Sequence, residues 1–139
     1  MKKLTIPLVL LLTASLAHAD TISWRLADQV KIAWDETTQM ANGDPVPADG
    51  EITYEIVIAG VDKAKTKVLW TGSENSATVT IPEYGRYLFG VKGMLTIDGE
   101  IVAESEYSWS DNPEAVSDGL FGVLFYAPLE SITGLKKVE

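Results

Sequence analysis

The fold is decided by residues 76–91, which read SATVTIPEYGRYLFGV. Apolar residues alternate with threonines up to Ile81, and a period of two predicts a strand with one buried face. Pro82 removes a backbone donor and turns the chain. A second alternation then begins at Tyr87 and continues through Phe89. This stretch therefore predicts two strands joined by a turn.

The same pattern recurs on both sides of this stretch. Further strands are predicted at residues 22–26, 30–34, 52–58 and 67–71, with a polar loop over residues 35–50. The strand that begins at Tyr87 runs to a two-residue hairpin turn at Asp98-Gly99, and residues 100–109 return from it. No window has convincing helical periodicity. Seven short strands with turn signals between them predict an all-β, antiparallel β-sandwich.

The spacing of the aromatic residues resembles that of the fibronectin type III family, in the form found in secreted bacterial proteins. The resemblance covers residues 22–112 and rests on Trp34 at the end of the second strand, Tyr54-x-Ile56 in the third, Ile81-Pro82 before Tyr87-x-Phe89-x-Val91, and the serine-rich residues 105–108. The usual Pro-Gly turn before the tyrosine is replaced, and no Arg-Gly-Asp tripeptide occurs. The resemblance implies an immunoglobulin-like sandwich that binds or spaces other domains and catalyses no reaction.

The resemblance also implies structural roles for four aromatic residues. Trp34, Tyr54, Tyr87 and Phe89 are expected in the core, because large aromatic residues on inward-facing strand positions usually pack there. The Tyr87 hydroxyl is expected to bond a backbone group in the preceding turn, as a tyrosine corner.

The first nineteen residues have the pattern of a secretory signal peptide. Lys2 and Lys3 precede a short apolar run that closes on Ala17-His18-Ala19, where a signal peptidase requires small residues. Cleavage is predicted before Asp20, which places the product in the periplasm or the medium. The chain then divides into a signal peptide at residues 1–19, a fibronectin type III-like domain at 20–112 and a tail or linker at 113–139.

Composition excludes several classes of function. The chain has no cysteine and its one histidine is His18, inside the predicted signal, so catalytic triads, histidine bases and the usual zinc sites are excluded from the mature chain. We therefore expect no enzyme activity, no cofactor and no metal. A net charge of −9 opposes nucleic-acid binding, and no run of about 18 apolar residues supports stable membrane insertion.

Two groups of residues remain as candidates for ligand contact. Trp24, Trp70 and Trp109 either cover the rim of the core or offer a flat face to a ligand, and Trp70 is the candidate for ligand binding because its short strand is expected at a sheet edge. The second group consists of acidic residues on or beside one loop, which is either solvated or a calcium site: Asp35, Glu36, Asp44, Asp49 and Glu51.

The apolar segment that starts at Leu120 and ends at Leu129 lies beyond the last predicted strand. Exposed apolar patches are normally suppressed, so the segment is expected to be covered. It either folds back over the sandwich or pairs with another protein. The main hypothesis is a secreted, non-catalytic interaction or spacer module that binds a protein at the bacterial envelope. The alternative is a carbohydrate-binding module that holds a polysaccharide on an exposed tryptophan face.

The hairpin around Asp98-Gly99 contains a conflict between register and hydrophobic pattern. Unbroken pairing puts Glu106 on the core side and turns Tyr107 and Trp109 outward. One extra residue in either strand reverses this, so we predict a β-bulge, with Tyr107 more buried than Glu106. The first choice for the bulge is Gly93 and the second is Gly90, because glycine adopts the bulge geometry most easily.

Overall fold

The computed structural model describes residues 21–139, which contain nine strands and no helix. The strands are β1 (Ser23–Leu26), β2 (Gln29–Ala33), β3 (Glu51–Ala59), β4 (Thr66–Gly72), β5 (Ser76–Thr80), β6 (Gly85–Ile97), β7 (Glu100–Glu104), β8 (Ser108–Trp109) and β9 (Phe121–Phe125). The predicted signal peptide and its cleavage site before Asp20 lie outside the described residues. Within residues 21–139, no helix is long and apolar enough to cross a membrane.

The strands form a main mixed sheet and a second sheet of two strands. The main sheet has the order β1-β9-β6-β3-β4, and β7 and β8 also pair with β6. The pair β1–β9 is parallel, and the other pairs are antiparallel. The second sheet is the antiparallel pair β2–β5. The all-β prediction is therefore confirmed, whereas the count of seven antiparallel strands is wrong.

One apolar cluster joins the two sheets. It is formed by inward-facing residues of both: Val30, Ile32, Val79 and Ile81 from the small sheet, and Ile56, Ile58, Phe89 and Val123 from the main sheet. These positions are the apolar members of the alternations seen in the sequence, so each strand turns one face to the other sheet. Burying each such side chain contributes about 1.5–3 kcal/mol to folding.

The apolar segment 120–129 belongs in part to the main sheet. Its first half forms β9, which lies between β1 and β6 in the main sheet. Leu120 and Val123 are buried, and Phe121 stacks on Phe89 with ring centroids 6.0 Å apart. These apolar residues therefore fold back onto the same chain, which is one of the two alternatives that the sequence leaves open, and the sheet continues past residue 112.

The hairpin turn and a bulge are both present where the sequence predicts a hairpin. Asp98 and Gly99 have positive φ angles of 52° and 80° and form the turn. The register then shifts between Leu95 and Thr96, which leaves Val102 as an extra residue on β7. Val102 is exposed, so the chain absorbs the extra residue on the solvent side without disturbing the core.

The predicted position of the bulge, Gly93 or Gly90, is wrong, and the hairpin slips a second time. The Ser105 N–H donates to the Gly93 carbonyl at 2.9 Å, whereas Ser108 pairs with Val91. From Gly93 to Val91, β6 advances by two residues, whereas the returning chain advances by three residues, from Ser105 to Ser108. The returning chain therefore contains a second extra residue. The Ser105 hydroxyl fills the gap, since it accepts a hydrogen bond from the Gly93 N–H at 2.9 Å.

Each extra residue exchanges the two faces of the returning chain, so two extra residues put its side chains back on the faces that regular pairing gives them. This decides where the aromatic residues of the returning chain lie. Trp109 pairs with Gly90, on the face of the main sheet that points away from β2 and β5. Tyr107 is more buried than Glu106, as predicted. The expectation that Tyr107 and Trp109 return to the core side is wrong, because it assumed one extra residue where the hairpin contains two.

Candidate functional site

The small sheet has an open edge along β2. Within residues 21–139, β2 pairs with β5 alone. At one end of this ladder the Ile81 N–H donates to the Asp28 carbonyl, and at the other the Trp34 N–H donates to the Asn75 carbonyl. Backbone groups alternate in direction along an antiparallel ladder, so those of Gln29, Lys31 and Ala33 point away from β5. β2 therefore offers three N–H and three C=O groups to an additional strand.

A groove of about 690 Å³ runs along this edge. Its apolar lining comes from both sheets and includes Val30 and Ile32 of β2, Phe89 and Val91 of β6, and Phe121 of β9. The opposite wall is formed by β1 and by residues 115–119, which lead into β9. We call this feature the β2 groove. It combines unpaired backbone groups with an apolar floor, which are the two requirements for binding an extended peptide.

Trp34 lies in the lining of the β2 groove and is half-buried. Its indole packs edge-on against Tyr54 and Trp70, with ring centroids 5.3 and 5.7 Å away. The Tyr54 hydroxyl accepts a hydrogen bond from the Thr37 N–H at 2.8 Å, which ties the chain after β2 to the main sheet. The indole N–H of Trp34 is buried and has no partner among the described residues. A buried donor without a partner costs about 1–3 kcal/mol.

Charged residues of opposite sign stand at the two ends of the β2 groove. β1 is parallel to β9 and turns directly into β2, so the end of β2 lies at the level of the start of β9. Asp35 follows β2 and Asp118 precedes β9, which makes this end acidic. Arg25 on β1 and Lys31 on β2 make the other part basic.

The opposite face of the main sheet carries a second group of aromatic residues, which we call the outer aromatic face: Trp24, Tyr107 and Trp109. Two of the rings lie on glycines. A Cβ on Gly122 would overlap the Trp24 indole, and one on Gly90 would lie 3.0 Å from the Trp109 ring. A cation lies over each ring at 5.1 to 5.5 Å from its centroid: Arg86 over Trp24, Lys63 over Trp109 and Lys92 over Tyr107.

Hydrogen bonds and ion pairs link this face. The Tyr107 hydroxyl donates to the Glu55 carboxylate, and Lys92 Nζ lies 3.2 Å from the Glu104 carboxylate. Lys63 Nζ lies 2.9 Å from Asp111 Oδ2. Burial raises the pKa of the Tyr107 phenol, and its hydrogen bond to Glu55 raises it further. The hydrogen bond to Glu104 raises the pKa of Lys92, against a smaller opposing effect of desolvation.

The structure separates the residues that the sequence singles out. Tyr54 and Phe89 are buried, whereas Trp34 and Tyr87 are half-buried and pack against the core cluster. The Tyr87 hydroxyl donates to the Tyr84 carbonyl at 3.1 Å, which is the hydrogen bond expected of a tyrosine corner. Trp70 pairs with Ile56 on the core face and packs on Trp34, so it does not lie with Trp24 and Trp109.

The β2 groove is the feature that sequence analysis did not identify. It depends on which strands pair, because β1 joins β9 and leaves the edge of β2 open. The polar alternation of β2 gave no sign of this, since an edge strand and a central strand with one solvent face have the same pattern. The acidic loop gives no metal site: within residues 21–139, no three carboxylate side chains come together. No family model, no curated protein and no solved structure matches this chain.

Proposed function

We propose that the chain is a secreted, non-catalytic protein-binding module that takes up an extended segment of its partner along the β2 groove. The observation that carries this proposal is the edge of β2, where Lys31 and Ala33 turn unpaired backbone groups toward a groove floored by apolar side chains. Backbone hydrogen bonds supply affinity in such strand addition, and pockets for alternate side chains supply specificity. Secretion is supported by the signal-peptide pattern of residues 1–19.

The strand order also fits a fibronectin type III-like sandwich, a fold whose resemblance implies binding to other proteins or spacing of domains. In immunoglobulin-like sandwiches, strands B and E lie in one sheet while strands C and F lie in the other with the last strand G. The pairing of β2 with β5, and the order β9-β6-β3-β4, fit strands B-E and G-F-C-C′. Strand A normally extends the sheet on the side of strand B. Here β1 pairs with β9, so the position that strand A covers is open to another chain.

Carbohydrate binding has less support in the geometry. Stacking on a sugar requires the exposed face of an aromatic ring, and cations lie over the three rings of the outer aromatic face. Trp70 packs on Trp34 inside the sandwich. Titrating the tryptophan fluorescence of the mature protein with cell-wall and plant polysaccharides distinguishes the two functions, and we expect a flat response.

Affinity capture with the mature protein tests the proposal. Ala33→Pro removes an N–H that points to the open edge and leaves the ladder to β5 intact, since proline is tolerated on edge strands. Ala33→Ser is the matched control, because it changes the same exposed side chain and keeps the N–H. We expect a protein captured from envelope extract by the wild type and by Ala33→Ser, and lost with Ala33→Pro.

Circular dichroism and urea unfolding show whether Ala33→Pro is folded. A folded Ala33→Pro variant that captures the same protein as the wild type contradicts the proposal, and so does a wild type that captures nothing.

A further inference from the structure

Residues 126–139 follow β9 and form no strand, yet they carry the most exposed large apolar side chains of the described chain. Leu129 and Leu135 are each 92% exposed, Ile132 is 82% exposed and Val138 is 86% exposed. Soluble proteins rarely leave such a series of apolar residues in water, and exposed apolar surface usually marks a contact with another molecule. We call residues 129–139 the C-terminal tail.

We propose that the C-terminal tail of one copy of this chain adds as a strand to β2 of a second copy, with residues 129–135 in the β2 groove. This inference rests on the proposed function, since it names the partner for the same groove. The tail has no secondary structure of its own, and its apolar side chains are exposed on its own copy, so they are free to enter the groove. Its one residue with a positive φ is Gly134, at 71°, and glycine adopts the extended conformation as readily.

Charge complementarity gives the direction of the added strand. The β2 groove is basic at Arg25 and Lys31 and acidic at Asp35 and Asp118. The tail has the matching pattern, with Glu130 near its start and Lys136-Lys137 six and seven residues later. Opposite charges meet when Glu130 lies near the basic part and the lysines lie near the acidic end. This places the tail parallel to β2.

The lengths agree with this direction. Lys31 and Asp35 are four residues apart, which is about 13 Å of extended chain. The six residues from Glu130 to Lys136 span about 20 Å, enough to reach past Asp35 to the acidic end of the groove.

The alternation of side chains fits the two sides of the groove. On β2, Lys31 and Ala33 face solvent while Val30 and Ile32 face the core. A tail strand with Glu130 beside Lys31 also turns Ile132 outward. Its inward side chains are then two leucines that flank two small hydroxyl residues: Leu129, Ser131, Thr133 and Leu135. The leucines contact the apolar floor, and the hydroxyl groups face a groove whose lining includes Ser108 and Ser110.

The tail of the same copy is a poor occupant of its own groove. The Ala27 N–H donates to the Leu124 carbonyl at 3.3 Å, so the chain leaves β9 beside the turn from β1 into β2. This turn lies between the end of β9 and the groove, and residues 126–128 would have to cross it with Pro128 among them. A tail from a second copy approaches without this crossing. The contact is head-to-tail, so it builds open chains of copies unless the rotation closes a ring.

Sedimentation velocity of the mature protein tests the inference with two complementary variants. Ala33→Pro blocks the groove and keeps the tail, whereas Leu129→Asp/Leu135→Asp spoils the tail and keeps the groove. We expect the wild type to form dimers and longer chains as concentration rises, and each variant alone to be monomeric. A mixture of the double variant with Ala33→Pro has one intact groove and one intact tail per pair, so it should stop at a dimer.

Ile132→Asp is the matched control for the tail, because Ile132 is almost as exposed as the leucines and faces outward in the proposed strand. We expect Ile132→Asp to associate like the wild type. Loss of association in Ile132→Asp together with retention in Leu129→Asp/Leu135→Asp overturns the register. A wild type that stays monomeric up to about 1 mM overturns the inference, because that is the weak end of measurable affinity.

These outcomes are separate from those of the proposed function. A monomeric wild type whose capture of a different protein is lost in Ala33→Pro leaves the proposed function standing and removes the second copy as its partner. Association that persists in Ala33→Pro means that copies meet through another surface, and it also overturns the inference.

Discussion

The outer aromatic face and the β2 groove both carry aromatic residues, but they differ in the hydrogen-bonding groups that remain unpaired beside those residues. On the outer aromatic face, Trp109 rests on Gly90, is covered by Lys63 and has Tyr107 beside it at 5.6 Å. In the β2 groove, the indole N–H of Trp34 has no partner among the described residues, and backbone groups of β2 are unpaired. One buried oxygen beside the outer aromatic face, Asp111 Oδ1, also has no partner among the described residues, so the main difference is the unpaired strand edge of β2. This edge, beside apolar surface, is the reason that we propose the groove and not the outer aromatic face as the binding site.

The largest expected effect is at Trp34, which belongs to both the core and the groove. Trp34→Ala removes a ring that packs on Tyr54 and Trp70, so we expect a loss of about 3 kcal/mol in the free energy of unfolding. Capture of a partner should be lost as well. Urea unfolding measures the first effect, with the exposed Thr78→Ala expected to stay within about 0.5 kcal/mol of the wild type. A loss for Trp34→Ala no larger than that of Thr78→Ala refutes its place in the core.

The next effect is at Trp109 and concerns stability alone. Trp109→Ala uncovers Gly90 and removes the ring beneath Lys63, and because the indole is half-buried we expect a loss of about 2 kcal/mol. Trp109 also borders the β2 groove, but its ring packs on Gly90 on the opposite face of the sheet, so we expect capture through the groove to be unchanged. Val68→Ala, at an exposed position on the edge strand β4, is the control. Weaker capture by Trp109→Ala with normal capture by Val68→Ala would break the distinction between the two faces.

Alkaline pH should weaken the outer aromatic face before it affects the groove. The pKa values of Tyr107 and Lys92 are both raised in the folded protein above their ordinary values of 10.0 and 10.5. A group whose folded pKa is raised stabilises fully below its unfolded pKa, and this contribution is lost as pH rises through the folded pKa. The free energy of unfolding should therefore fall above about pH 10.

Tyr107→Phe separates this effect from general alkaline unfolding, because it removes the phenol and keeps the ring. Urea unfolding from about pH 8 to about pH 11 should show a shallower decline for Tyr107→Phe than for the wild type. Equal declines in the two proteins would mean that Tyr107 contributes nothing to the pH dependence.

The smallest expected effect is that of a calcium chelator, for which we expect no change in the melting temperature. The acidic residues near the end of β2, including Asp35, are not gathered into a group of three carboxylates anywhere in residues 21–139. Thermal unfolding with and without the chelator measures this. A reproducible fall in the melting temperature would show that the acidic end of the groove holds an ion that supports the fold.

The sequence predicts the strands better than their partners. Alternation places β2, β3 and β5 within a few residues, because each strand turns one apolar face to a single core. It cannot place β9, whose near-continuous apolar residues 120–125 are equally consistent with a buried strand and with a surface that binds another protein. The pairing of β9 with β1 is set by tertiary packing, and it leaves the edge of β2 open.

The hairpin shows the same limit at the level of single residues. Regular pairing would place the charged Glu106 at an inward position, which is costly. The sequence therefore correctly indicates that the pairing is irregular. The hydrophobic pattern does not give the number of extra residues, and two of them leave the side chains on the same faces as none. The face on which Tyr107 and Trp109 lie therefore cannot be predicted from the pattern. A glycine in this hairpin does not mark the bulge: Gly90 allows the close approach of the Trp109 ring, and its conformational freedom is not used in a bulge.

The pairing of β1 with β9 has a consequence for how the chain folds. Ser23 lies opposite Phe121, 98 residues later along the chain. Closing so long a loop costs entropy before any of the contacts that reward it are made, and proteins rich in such distant pairs fold slowly. During synthesis, the first strand has no sheet to join until nearly all of the described chain has been made. We therefore expect β1 to remain unpaired until late in folding, and the last strand to determine when the main sheet becomes complete.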